Sequence, residues 1–256
     1  MTSIDVAVPC YQYAHYLRGC VESILRQDGP KLRVLVIDNA STDGSLAVAS
    51  ELASEDPRVE VVAHRVNHGQ HASYNEAIDW ASSKYFMLLS ADDLLAPGAL
   101  ARAVSVMERE PEVNFAHGGT LYVSSAEPIP AAGLPAEQPP RWRIVPGRQL
   151  LERFCYAGRN HVNSSSVVVR TSAQKRAGHY RPYLAHTDDF ELWMRFACLG
   201  SVAETDAIQA VARVHPENRS TSVSNIHLWD LEFEAAFASF FAREGASLPA
   251  ARPMSC

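Results

Sequence analysis

Val34-Leu35-Val36-Ile37-Asp38-Asn39-Ala40-Ser41-Thr42-Asp43-Gly44 is the stretch that decides the architecture. Residues 34–37 form a continuous apolar run, the mark of a strand buried on both faces. Asp38-Asn39 stops it. Ser41-Thr42-Asp43-Gly44 then reads as a turn with a helix N-cap, and Leu46, Val48 and Leu52 recur along the helix that follows.

The same alternation runs outward in both directions. Residues 4–8 predict a strand ending at Pro9, and Leu17, Cys20, Val21, Ile24 and Leu25 predict an amphipathic helix over 16–27. A third strand is expected over 59–62, a helix over 73–81 and a fourth strand over 85–89. Pro97 opens another helix, with Leu100, Val104 and Met107 on one face. Such a chain builds a mostly parallel, Rossmann-like sheet with helices on both faces. Ligands bind such sheets beyond the carboxyl ends of the strands. Asp38 and Asp92-Asp93 follow directly on predicted strands, so they share that edge.

The second half is less regular. Residues 126–147 are rich in Pro and Ala and read as an ordered loop or a mobile flap. A strand is expected over 167–169 and a helix over 188–199 with Leu192, Phe196 and Leu199 on its buried stripe. A last helix over 228–243 carries Phe233, Phe237 and Phe240, and the tail 248–256 is expected to be disordered.

Composition narrows the function. With 47% hydrophobic and 20% charged residues, the 256-residue chain is an ordinary globular protein, one large domain or two fused halves. A net charge of −6 argues against nucleic acid as a partner. The five cysteines (Cys10, Cys20, Cys155, Cys198, Cys256) form no C-x-x-C pair, which suits reduced thiols better than a disulfide frame or a zinc site. No secretory signal and no membrane-length apolar run is visible. The expectation is a cytoplasmic protein, acting at the inner membrane face if it serves a membrane pathway.

Five segments carry chemistry. In Ser90-Ala91-Asp92-Asp93, adjacent carboxylates repel one another unless a cation joins them. Mg²⁺ or Mn²⁺ would do so, bound by one or two carboxylates and substrate phosphates. The alternative is a solvated acidic turn. Asp38-Asn39 either makes an Asx turn or, with Pro9-Cys10-Tyr11, grips a nucleobase between carboxylate and aromatic ring. Asn67-His68-Gly69-Gln70 is a loop suited to approach a ribose. Asp188-Asp189 opens a predicted helix, where it either caps the dipole or supplies a general base. Arg213-Val214-His215-Pro216-Glu217-Asn218-Arg219-Ser220 gathers cationic and metal-capable groups suited to a diphosphate.

Taken together these segments resemble the family 2 glycosyltransferases of GT-A fold. That family begins with a strand ending in Val-Pro-x-Tyr, here Val8-Pro9-Cys10-Tyr11, and continues with an Asp-rich turn, here Asp38 through Ser45. An Asn-x-Gly loop and an Asn-containing helix follow, here Asn67-His68-Gly69 and Tyr74-Asn75-Glu76-Ala77. The aromatic strand running into the Asp-x-Asp region is matched by Tyr85 to Asp93. The late acidic-aromatic-x-Leu-Trp-x-Arg segment is Asp188 to Arg195, and the Arg-x-His loop begins at Arg213. The resemblance spans residues 4–222 with its motifs in the family's order.

The resemblance implies an inverting enzyme that moves a sugar from a nucleotide diphosphate donor to an acceptor hydroxyl, assisted by Mn²⁺ or Mg²⁺. Asp189 is then the catalytic base. Pro9, Tyr11, Asp38, Asn67, Gly69, Asn75, Asp92 and Arg213 bind the donor, and Asp93 and His215 serve the metal. The acceptor is a glycan, a lipid-linked sugar or a small molecule. Residues 1–120 form the donor-binding half, 121–225 the smaller acceptor and base half, and 226–256 a C-terminal helix and tail. The family often has Asp at the position of Ser90, so the metal site has one carboxylate fewer. A sugar-1-phosphate nucleotidylyltransferase would open on a Gly-rich, Arg-containing loop, and a nicotinamide dehydrogenase on G-x-G-x-x-G; Pro9-Cys10-Tyr11-Gln12 stands there instead. A catalytically silent nucleotide-sugar-binding module is the alternative outside enzymes, against which Asp189, Arg195 and His215 argue.

Overall fold

The computed structural model describes residues 2–124, 140–216, 218 and 226–248. The Arg219-Ser220 end of the cationic loop, most of the Pro/Ala-rich segment and the tail beyond 248 lie outside the described residues. The first strands are β1 (Ser3–Cys10), β2 (Lys31–Asp38), β3 (Val59–Ala63) and β4 (Tyr85–Leu88), all parallel, in the order β3-β2-β1-β4. Helices α1 (Ala14–Leu25), α2 (Ser45–Glu55) and α3 (Gln70–Trp80) connect them. The period of two along β2 explains the apolar run. Val34 and Val36 join one core layer, with Leu17, Val21 and Ile24 of α1. Leu35 and Ile37 join the other, with Phe86 and Ile78.

The rest of the sheet is more regular than the sequence suggests. After β5 (Leu94–Leu95) and α4 (Ala99–Arg109), a twelve-residue strand β6 (Val113–Ser124) crosses position 120 without a break. Then come β7 (Arg143–Val145), α5 (Gly147–Ala157), β8 (Val168–Arg170), α6 (Thr171–Ala177), α7 (Asp188–Ala197), β9 (Ser201–Val214) and α8 (Ile226–Phe241). The order continues β4-β8-β6-β9-β5, with β7 on β9. β8 runs antiparallel to both neighbours, while β6 and β9 are parallel to each other. One mostly parallel sheet, covered on both faces, therefore spans both halves of the chain.

Several boundaries move for physical reasons. The third helix begins at Gln70 rather than 73, because Gly69 (φ +81) turns the chain directly into it. In α2 the buried face is Ser45, Ala49 and Leu52, and the expected core residue Leu46 is 39% exposed. Helix α7 ends at Ala197, before Leu199. Among the described residues no helix is long and apolar enough to cross a membrane.

Candidate active site

A cleft of about 620 Å³ opens beyond the carboxyl ends of β1, β2 and β4. Pro9, Tyr11, Asn67, Gly69, Asp92, Asp93, Asp189 and Arg213 line it; Asp38, Asn75 and His215 do not. Motifs far apart in sequence thus converge on one cavity.

The wall formed by the turns after β1, β2 and β3 is built from interlocked loops. Asp38 is 1% exposed; its Oδ2 accepts the Ser41 amide at 3.1 Å, and its Oδ1 is buried without a hydrogen-bond partner among the described residues. Such an atom lacks a hydrogen bond worth about 1–3 kcal/mol. Asn39 Nδ2 donates to Asn67 Oδ1 at 2.9 Å, and that oxygen also accepts the Gly69 amide at 2.8 Å. The Asp-Asn and Asn-x-Gly motifs are therefore one unit. Asp43 accepts the Ala14 amide at 2.9 Å and so caps α1 from across the loop. Among the described residues, Gln12 (φ 62) and Ala40 (φ 63) are the non-glycine residues in the left-handed region. They are held there by hydrogen bonds from the Gln12 amide to Ser41 Oγ and from the Thr42 amide to Gln12 Oε1. Strain of this kind persists only where its surroundings enforce it. Asn75 is outside the cleft because the Tyr180 backbone occupies both ends of its amide, at 3.1 and 2.8 Å. Its effect on the cleft passes through Tyr180, which does line it.

The acidic pair lies in the turn between β4 and β5. Asp92 and Asp93 are 5% and 6% exposed. Asp93 Oδ1 accepts the Arg213 amide at 3.1 Å and its Oδ2 accepts Ser165 Oγ–H. Burial first, and the charge of Asp92 second, push the Asp93 carboxyl up to about 7. Asp92 Oδ2 is 3.0 Å from both His215 Nε2 and Asn218 Nδ2. His215 is packed behind this pair against Tyr13 and Tyr16, and the Arg213 guanidinium lies 4.9 Å over the Tyr16 ring. Among the described residues no three His, Cys, Asp or Glu side chains converge on one metal position. Two buried carboxylates that disfavour one another's charge nevertheless fit a hard cation completed by substrate phosphates.

The other acid comes from α7. Asp189 is half-buried; its Oδ1 accepts the Phe190 amide at 2.6 Å, and its Oδ2 accepts Ser164 Oγ–H at 2.5 Å and Asn160 Nδ2–H at 3.3 Å. Asp188 is 1% exposed and its Oδ2 is 3.0 Å from His71 Nε2. Arg195 takes no part in the cleft. It bonds Glu191 and the carbonyls of Ala177 and His179, which makes it scaffold for α7 and removes it as an argument for catalysis.

Sequence reasoning passed over the Asn163-Ser164-Ser165-Ser166 turn. Ser164 reaches Asp189 and Ser165 reaches Asp93, so neighbouring residues hold both acids. Its trace in the sequence is a polar run abutting the apolar strand at 167–169, with Asn163 Oδ1 accepting the Ser165 amide at 3.0 Å.

A family model described as glycosyl transferase family 2 matches residues 5–161, more than half of the chain. An uncharacterized glycosyltransferase of Haemophilus influenzae is 23% identical over 223 residues, covering 87% of this chain and 68% of that protein. The chain spans 10% to 50% of the length of several further curated relatives. Among solved structures, S. aureus TarS 1-349 in complex with UDP-GlcNAc aligns with a TM-score of 0.67 at 17% identity, covering 96% of this chain and 73% of that one. The mannosyltransferase PcManGT from Pyrobaculum calidifontis, in complex with GDP-Man and Mn²⁺, aligns at 0.62 and 20% identity, covering 98% and 66%. At such identities these likenesses establish the fold. With the family model matched over more than half of its length, the chain belongs to glycosyl transferase family 2 and is a glycosyltransferase of GT-A fold.

Proposed function

We propose that this protein transfers a sugar from a nucleotide diphosphate sugar to an acceptor hydroxyl in a single displacement that inverts the anomeric carbon. The observation that carries the reading is that Asp93 and Asp189 line one cleft and are held by consecutive serines of one turn. TarS with UDP-GlcNAc and PcManGT with GDP-Man and Mn²⁺ support the donor class.

Asp38, buried behind the cleft next to Asn39, which lines it, would offer its Oδ1 to a base N–H, with Tyr11 beside the base. Asn67, Gly69 and Asp92, which line the cleft, would meet the ribose, and Arg213 the diphosphate. Asp93 would hold Mn²⁺ or Mg²⁺, with Asp92 and His215 behind it. When bound, the cation neutralises charge building on the leaving diphosphate as a Lewis acid. Asp189 Oδ2 takes the acceptor proton as the hydroxyl oxygen attacks. Residues 1–120 then serve the donor, 121–225 the acceptor and the base, and 226–256 close the C-terminal side. The acceptor belongs to a glycan, a lipid-linked sugar or a small molecule. The unpaired cysteines favour the cytoplasm, with a peripheral position at the membrane's inner face for a lipid-linked acceptor.

The test is nucleotide diphosphate release from a panel of UDP-, GDP- and dTDP-sugars with Mn²⁺, in wild type and Asp189→Asn. Donor affinity should survive the substitution while transfer falls by about 10²–10⁴. Near wild-type turnover in Asp189→Asn would remove the base. Donor binding without release in wild type would favour the silent binding module.

A further inference from the structure

We propose that Tyr122, fixed by Asn163, is the platform of an acceptor subsite for a pyranose ring, so that the accepting hydroxyl belongs to a sugar. The inference rests on the glycosyl-transfer reading and names the acceptor class for the same cleft.

Tyr122 lines the cleft and yet is 62% exposed, an open ring surface at the wall of a polar cavity. An exposed tyrosine ordinarily swings between rotamers, but here its hydroxyl accepts a hydrogen bond from Asn163 Nδ2 at 2.6 Å. Asn163 is itself fixed, because its Oδ1 caps the serine turn through the Ser165 amide. A ring immobilised before its ligand arrives spares the binding step that ordering cost.

Position decides which ligand the ring meets. In the sheet, β6 lies three strands from β1 in the order β1-β4-β8-β6. Tyr122 lies beyond the stretch of β6 that pairs with β8, on the part that runs beside β9. Tyr122 pairs with Ala212, next to Arg213, whose amide donates to Asp93. Through Asn163 it adjoins Ser164, whose hydroxyl donates to Asp189 Oδ2. The ring therefore stands beside the proposed base, where an acceptor hydroxyl has to come.

Chemistry decides the class. A pyranose presents a face of C–H groups to an aromatic π-cloud and a rim of hydroxyls to neutral polar groups. Asn163, Ser164 and Ser165 supply such a rim. A phosphate acceptor would ask for cations. Among the described residues lining the cleft the only Lys or Arg is Arg213, whose guanidinium lies over Tyr16.

The experiment is saturation-transfer NMR with the methyl pyranosides of glucose, galactose, mannose and N-acetylglucosamine, and with glycerol and butanol as comparators, each in the presence of UDP and Mn²⁺. At least one pyranoside should bind wild type, with transfer from the Tyr122 ring protons to its axial protons. Tyr122→Ala should weaken that binding about tenfold, the stacking contribution expressed as affinity, while UDP affinity stays unchanged. Tyr122→Phe, which keeps the ring, should stay within about threefold. No pyranoside binding, equal binding by Tyr122→Ala, or comparators binding as well as pyranosides would each overturn the proposal. The readout is binding, so a wild type that binds pyranosides through Tyr122 yet releases no nucleotide would refute the transferase mechanism and leave the subsite standing.

Discussion

Replacing Asp93 by Asn should make the metal-free protein more stable at pH 8 while abolishing transfer. The Asp93 carboxyl is pushed from 3.8 up to about 7, by burial first and by Asp92 second. A raised carboxyl means that the folded state keeps a proton the unfolded chain gives up. Its contribution is therefore complete below pH 3.8 and is lost as pH rises through about 7. At 1.36 kcal/mol per pH unit the gap amounts to about 4 kcal/mol. Asn fills the same volume, carries no charge and can still accept the Arg213 amide. Urea unfolding in EDTA should thus give curves for the two proteins that coincide near pH 4 and diverge by up to about 4 kcal/mol at pH 8, with the variant the more stable. Adding Mn²⁺ and a nucleotide diphosphate should stabilise wild type far more than the variant. Parallel pH profiles would refute the argument, since they would mean that the acidic pair stores no repulsion for a cation to relieve.

Other substitutions separate the remaining roles. Asp38→Ala should weaken nucleotide diphosphate binding by about 1.5–3 kcal/mol with the fold intact; unchanged affinity in calorimetry would leave Asp38 a turn-former. Asp188→Asn weakens the buried hydrogen bond to His71, so it should lower stability while turnover stays within about tenfold; loss of all turnover would place the base one residue earlier. Ser164→Ala should lower the transfer rate by about tenfold or more at constant donor affinity, because Asp189 Oδ2 loses its closest donor. An unchanged rate would reduce the serine turn to scaffold.

The first half of the fold was legible because its strands are buried on both faces and end at turns that the sequence spells out. Val34 to Asp38 is the plainest case. The second half hid its strands for opposite reasons. β6 carries Gly118-Gly119 at a register shift against β9, where a Cβ on Gly118 would come within 2.5 Å of Gln209. β9 buries Glu204, Thr205 and Gln209, which break its apolar pattern. Long-range arginines satisfy two of them, Arg153 on Glu204 and Arg102 on Gln209. No local window contains those partners. The site divides the same way. Its acids stand in sequence-local motifs and were found, but Ser164, Ser165, Asn163 and Tyr122 matter only through contacts 25 to 72 positions away.

Helix geometry sets Asp189 apart from its neighbour Asp188, although both line the cleft. Asp188, Glu191 and Arg195 stand at i, i+3 and i+7, one stripe of α7, and all are buried. That stripe is a charged interior seam. His71 meets Asp188, Arg195 and Arg181 meet Glu191, and Arg181 continues to Glu244 beyond α8. Buried charges of this kind are committed, because removing one partner leaves the other unpaired at a cost of about 3–5 kcal/mol. Asp189 lies about 100° around the helix from Asp188. There it accepts hydrogen bonds from the Phe190 amide, the Ser164 hydroxyl and the Asn160 side-chain amide. Neutral donors of this kind orient the Asp189 carboxylate at the wall of the cleft. The seam in turn fixes α7 against α8, which sets the angle at which Asp189 enters the cleft.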